Sequence, residues 1–212
     1  MRLGNKISSG VGNNTKHRIA EMSAGFFARY GIKGTTMELV SEELHISKRT
    51  IYEYFPDKTA LLTESIRICI DNNLKEIRMK IVGSGCLQAL MSTADLAYKL
   101  FAMPHPAFRR DAAKSREVRE LLDTEYRKPL SGIVVGLLTQ AKIEGLVVAG
   151  TDTAKVMELA EGLLLSSGEE PLDRRNMHEA FLYAVRICLT GICTENGRTK
   201  LETINNQEKQ ER

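Results

Sequence analysis

The sequence predicts an all-α fold in two parts, a short N-terminal domain of three helices and a longer C-terminal helical domain. Three observations carry this. Apolar residues recur at spacings of three and four through most of the chain, which places them on one helix face. Cap and stop residues punctuate those stretches: Asn14-Thr15, Ser47, Asp57, Thr151-Asp152 and Asp173 stand at starts, and Gly31, Pro56 and Gly145 at ends. No segment reads convincingly as a strand, and no internal repeat is visible.

The first helix opens at Asn14-Thr15, runs through Ile19, Met22, Phe26, Phe27 and Tyr30, and is capped by Gly31. A second follows Thr35-Thr36 with Met37, Leu39, Val40 and Leu44, and ends at the tight turn His45-Ile46. Ser47 then caps a third helix, SKRTIYEYFPDK, so that Lys48, Arg49 and Thr50 lie on its leading turn. Ile51 and Phe55 share one face as apolar anchors, while Tyr52 and Tyr54 project elsewhere with hydroxyls on stiff stems. Pro56 stops this helix, Asp57 caps the next, and Lys58 sits in its first turn. Two short helices joined by a turn, the second opening on basic and hydroxyl groups, form the helix-turn-helix arrangement that lays its second helix in the major groove.

From Asp57 an amphipathic pattern through Leu61, Ile66, Ile70, Leu74 and Ile81 predicts one long helix connecting the two parts. Cys86 to Met103 forms another, closed by Pro104-His105-Pro106, and Ala107 to Ala113 a short one. A long pattern runs from about Arg116 to Glu144, with Pro129 either kinking it or marking a new start. Two further helices follow, Thr153 to Ser166 and one running from Asp173 through Ile192. Residues 1–14 read as a flexible arm and 196–212 as a flexible tail. The expected domains are therefore 15–62 and 63–195 between those ends.

The strings TT-M-x-x-V and I-S-K-R-T-I-Y-E-Y-F-P-D-K-x-A-L-L, within about residues 15–62, resemble the DNA-binding domain of the TetR/AcrR family of bacterial transcriptional repressors. Two positions depart from the family pattern. His45 stands where the family usually has Gly, and because His tolerates a positive φ a slightly strained turn is expected. Arg49 stands where a small residue is common. The resemblance implies a dimeric, ligand-responsive repressor of nearby genes, binding a double-stranded DNA operator. It assigns DNA contacts to Thr36, Lys48, Arg49, Thr50, Tyr52, Tyr54 and Lys58, with Lys48, Arg49 and Tyr52 at base edges and the others on phosphates. It also implies a homodimer built from about residues 153–194, where the stripes Val156, Leu159, Ala160, Leu163, Leu164 and Phe181, Ala184, Val185, Cys188, Ile192 run. A small-molecule effector would bind in the larger part, with Met91, Tyr98, Phe101, Met103, Phe108, Tyr126 and Gln140 as candidate lining residues.

Composition agrees with this picture. With 42% hydrophobic and 27% charged residues, the chain has an ordinary globular make-up. The net charge of +3 is carried entirely by residues 1–58, which hold nine Lys+Arg against six Asp+Glu, the sign that phosphate neutralisation requires. No apolar run approaches the roughly 20 residues needed to cross a bilayer, and no signal-peptide core follows Met1, so the cytoplasm is the expected compartment, with no membrane partner. Cys69, Cys86, Cys188 and Cys193 form no CxxC pair and read as small buried hydrophobes. Neither His105 nor His178 has a partner at ligand spacing, so no metal and no cofactor is expected. Residues 59–212 show no Gly-rich phosphate loop, nucleophile elbow or His-carboxylate cluster, which argues against an enzyme. The alternative to a ligand-responsive repressor is a helical protein-interaction module with a DNA-binding domain and no small-molecule effector.

Overall fold

The computed structural model describes residues 8–102, 104–166 and 174–210. These residues are all-helical, with one isolated antiparallel bridge, Val147 to Cys193, and no strand. The helices are α1 (Ser8–Gly34), α2 (Met37–Leu44), α3 (Lys48–Tyr54), α4 (Lys58–Ile81), α5 (Cys86–Ala102), α6 (Pro106–Lys114) and α7 (Arg116–Leu122). A π-helical turn (Asp123–Arg127) leads into α8 (Lys128–Ile143), which α9 (Thr153–Ser166), α10 (Arg174–Ile192) and α11 (Glu195–Gln210) follow.

The chain divides into two compact units. The first comprises α1 to α3, the start of α4 as far as Asn72, and α6 with α7; the second takes α4 from Asn73, α5, the π turn and α8 to α11. The division thus falls inside α4 and not at the expected boundary after residue 62. The segment 106–122 joins the first unit because α6 packs along α1.

In the first unit, Ile19, Ala20 and Phe27 of α1 are buried with Val40, Ile51, Phe55, Leu61 and Leu62. The buried Ser65 hydroxyl donates to the Ala20 carbonyl at 2.8 Å, which ties α4 to α1. Met22 and Tyr30, expected on the apolar face of α1, are more than two-fifths exposed, so that face is narrower than the spacing suggests. Of the arm expected over 1–14, residues 1–7 lie outside the described residues, and α1 already begins at Ser8. Gly31 breaks the helix at φ 77, ψ 173, a combination open essentially to glycine alone. A Cβ there would meet the Ala107 Cβ at 3.0 Å. Gly31→Ala is therefore expected to cost about 1 to 3 kcal/mol, read as a lowered midpoint in urea unfolding; an unchanged midpoint would contradict this.

In the second unit, Leu87, Leu90 and Met91 of α5 pack with Leu138 and Ala141 of α8, Leu189 of α10, and Leu201 and Ile204 of α11. The last two overturn the expected flexible tail: residues 195–210 are helical, and Leu201 and Ile204 enter the core one turn apart. Pro129 cannot donate to the carbonyl one turn earlier. The chain accommodates it with a π turn and a fresh helix that carries Pro129 in its first turn. The π turn directs Tyr126 inward, where its hydroxyl donates to Asn73 Oδ1 at 2.6 Å, and Asn73 Nδ2 donates to the Leu96 carbonyl at 2.9 Å.

Candidate nucleic-acid interface

The reading head is built from three short-range devices. Thr36 caps α2, its hydroxyl oxygen accepting from the Leu39 N–H at 3.1 Å. His45 ends α2 in the left-handed region, φ 53 and ψ 40, as the departure from glycine leads one to expect. Its turn is clamped by the Ser41 hydroxyl, which donates to the Ile46 carbonyl at 2.6 Å. Ser47 then caps α3 by accepting from the Thr50 N–H at 3.0 Å, and the two hydroxyls meet at 2.8 Å. Ile51 and Phe55 are fully buried and fix the helix by its inner face. Phe55 is extended, as a residue before proline prefers, so α3 stops after Tyr54.

The anchoring leaves the opposite face in solvent. Lys48, Arg49 and Tyr52 are all exposed there, the Arg49 side chain by 89%. Thr50 and Tyr54 are half-buried beside them. The structure brings these five together on one short helix, with Thr36 at the head of α2.

Lys58 differs from the rest. Asp57 caps α4 by accepting from the Ala60 N–H at 2.8 Å, but the Lys58 ammonium turns back and donates to the Ile32 carbonyl at 3.0 Å. The ammonium has further N–H donors beyond that one bond.

Sequence reasoning overlooked two carboxylates. Glu38 of α2 reaches Lys48 Nζ at 2.5 Å, and Glu53 reaches Arg49 Nε at 3.3 Å. The hydrogen bond from Lys48 is the largest cause holding the Glu38 carboxyl below its ordinary value, and the same bond raises the Lys48 ammonium. The Arg49–Glu53 pair was legible from its i, i+4 spacing. The Lys48–Glu38 pair spans the turn between two helices and leaves no local mark.

The residues expected around an effector are scattered. Met91 lies in the core of the second unit. Tyr98 is buried, stacked on His178 at 4.7 Å and tilted against Phe181 at 5.0 Å. Tyr126 is buried edge-on to the half-buried Phe101 at 5.1 Å. Gln140 is exposed and donates to Glu144, Phe108 belongs to α6 in the first unit, and Met103 lies outside the described residues. A cavity of about 100 Å³ does exist in the second unit, between α5, α8, α9 and α10, but none of the seven lines it. Its walls are apolar, among them Ala94, Ala97, Val134, Leu163 and Val185. Thr93 and Glu161 also line it, yet the Thr93 hydroxyl donates to the Ala89 carbonyl at 2.7 Å, and Glu161 pairs with Arg127 at 2.6 Å. Nothing in the sequence marked these small and aliphatic residues as different from core. Among the described residues no cluster of His, Cys, Asp and Glu could hold a metal, and no helix is long and apolar enough to cross a membrane.

Comparison with known proteins agrees with this geometry. Residues 21–64 match the model of the family described as "Bacterial regulatory proteins, tetR family". No curated protein matches the chain. Among solved structures, a TetR-family transcriptional regulator from Cytophaga hutchinsonii is similar with a TM-score of 0.72 at 14% identity, over 87% of this chain and 97% of that one. A transcriptional regulator from Saccharomonospora viridis in complex with choline gives 0.66 at 16%, over 86% and 100%. FadR from Bacillus subtilis in complex with stearoyl-CoA gives 0.62 at 15%, over 82% and 97%. The identities are low enough that these likenesses speak for the fold, while the family match falls on the helix-turn-helix itself. That match, on the exposed and capped α3, identifies residues 21–64 as a DNA-binding helix-turn-helix domain similar to those of bacterial tetR-family regulatory proteins.

Proposed function

We propose that the chain works in the cytoplasm as a homodimeric repressor, without catalytic activity of its own, whose grip on an operator is loosened by a small apolar molecule. The observation that carries the DNA-reading part is the exposed set Lys48, Arg49 and Tyr52 on a helix whose other face is locked into the core. In this reading those three meet base edges, and Thr36, Thr50, Tyr54 and Lys58 hold phosphates. Helix starts favour anions, since their N–H groups and dipoles point outward. Arg49→Ala is expected to change base preference at a cost of about 1 to 3 kcal/mol if its contact is bidentate. Lys58→Ala is expected to weaken binding to every sequence alike and to flatten the salt dependence by about 0.9 in log–log slope. Fluorescence anisotropy against a panel of duplexes measures both; a change of base preference in Lys58→Ala with an unaltered slope would contradict the phosphate role.

Dimerisation through α9 and α10 is supported by what the chain leaves uncovered. Leu159 on α9, and Tyr183 and Ile187 one turn apart on α10, are each more than half exposed. The stripes expected at the interface are mostly used otherwise: Val156, Leu159, Ala160, Leu163, Leu164, Phe181, Val185 and Cys188 line the cavity, Leu159 at its exposed edge. The neighbouring face of the same helices thus becomes the candidate contact.

The cavity supports an effector more than an effector-free interaction module. Its walls are mostly aliphatic, which suits an uncharged apolar group better than a charged or strongly polar one. A cavity only moderately larger than this is known to hold benzene, which sets the scale of an uncharged hydrocarbon group. The neighbours bound to choline and to stearoyl-CoA favour a small molecule in this fold. Helix α4 belongs to both units and offers a continuous route for coupling. A coupling of about 1 to 3 kcal/mol, some 5- to 150-fold, is expected, and operator must weaken effector binding by the same factor. Calorimetry showing equal effector affinity with and without operator would contradict this coupling.

A further inference from the structure

The two cations at the front of α3 carry their own counter-charges. Lys48 is paired across the turn to Glu38 of α2, and Arg49 one helical turn along to Glu53. This fits the charge balance of the motif. Between Thr36 and Lys58 the acids are Glu38, Glu42, Glu43, Glu53 and Asp57, against Lys48, Arg49 and Lys58 alone. The positive excess lies earlier, on α1, where Lys16, Arg18, Arg29 and Lys33 face only Glu21. The part of the molecule that reads bases is therefore net acidic, and the part that precedes it is basic.

A phosphate approaching Lys48 or Arg49 has to compete with a carboxylate already in place and is repelled by it. Both pairs are well exposed, and exposed ion pairs are weak, so each opens readily. A guanine edge offers two acceptors that a guanidinium or ammonium can take, which compensates the cation. A released carboxylate can accept from the N4 amino group of cytosine, a kind of donor that a phosphate does not offer. The carboxylates penalise phosphate-only contact more than base contact.

We propose that Glu38 and Glu53 are specificity-determining residues: they hold Lys48 and Arg49 in ion pairs when no cognate base is present, and so suppress binding to non-operator DNA. This rests on the DNA-reading role assigned to α3 above. The conservative variants Glu38→Gln and Glu53→Gln keep side-chain size on an exposed surface and leave the buried anchors untouched. The test is anisotropy of the full chain with random-sequence duplex, and with a duplex enriched by the wild-type chain from a random pool, each across a salt titration.

Each variant is expected to bind random duplex several-fold more tightly than wild type, with a log–log salt slope steeper by about 0.9, one extra phosphate contact. Its preference for the enriched duplex should fall. In a Lys48→Ala background the effect of Glu38→Gln should shrink, because the freed ammonium is its source. Random-duplex affinity and slope unchanged in both variants would overturn the proposal while leaving DNA reading intact. An undiminished Glu38→Gln effect without Lys48 would overturn the pairing as its cause. A wild-type chain that binds no duplex at all would overturn the DNA-reading role and this proposal with it.

Discussion

Replacing Gly197 by Ala is expected to lower the melting temperature of the chain by roughly 6 to 12 °C, from an overpacking cost of about 3 kcal/mol. A Cβ at this position would lie 2.0 Å from the Leu146 carbonyl oxygen and 2.9 Å from its carbon. Both are backbone atoms, so no side chain can swing aside. The same carbonyl accepts from the Thr194 N–H at 3.0 Å, and the Gly197 N–H donates to the Thr194 hydroxyl at 3.2 Å. Displacing the first turn of α11 would therefore strain its cap and pull Leu201 and Ile204 from the core. Gly132→Ala in α8 is the control, since its Cβ would meet open space and a helical Gly→Ala exchange stabilises by up to about 1 kcal/mol. Calorimetric scans showing equal shifts for both variants would contradict the close-approach argument.

Ile187→Glu is expected to convert the protein to a folded monomer and to lower operator affinity by at least about 100-fold, because two linked reading heads gain that much by avidity. Ile187 and Tyr183 are exposed on α10, so a carboxylate there costs the isolated chain little, whereas an interface would bury it unpaired. Leu163, from the stripe expected to dimerise, makes a poorer test. It packs against the Tyr98–Phe181 cluster, so Leu163→Glu would damage the fold itself. Sedimentation velocity separates the outcomes. A wild-type chain that sediments as a monomer at micromolar concentration, with DNA binding retained, would contradict the dimer.

The reading helix was legible in the sequence because its determinants are local. Ser47, Pro56 and Asp57 act within four residues of themselves, and His45 announced its own backbone conformation. The π turn was half legible: Pro129 required an interruption, but whether a kink or a new start depended on Tyr126 reaching Asn73, far away in sequence. Helix α11 was not legible. Two apolar residues, Leu201 and Ile204, among charged and amide side chains resemble a solvated tail, and the Gly197 contact that docks them is made with Leu146 on another segment. The cavity escaped for a related reason. Aromatic and Met residues drew attention as candidate lining, yet Tyr98, Tyr126 and Met91 fill space, and the void falls beside alanines and aliphatics.

The central claim, that α3 reads DNA as one of a two-fold pair, is tested most directly by hydroxyl-radical footprinting on the DNA upstream of the chain's own gene. The expected result is two protected half-sites on one face of the duplex, with centres one helical turn of roughly 34 to 36 Å or a multiple of it apart. Protection should vanish when Lys48, Arg49 and Tyr52 are replaced together by Ala. A single protected site, or protection that survives the triple substitution, would contradict it.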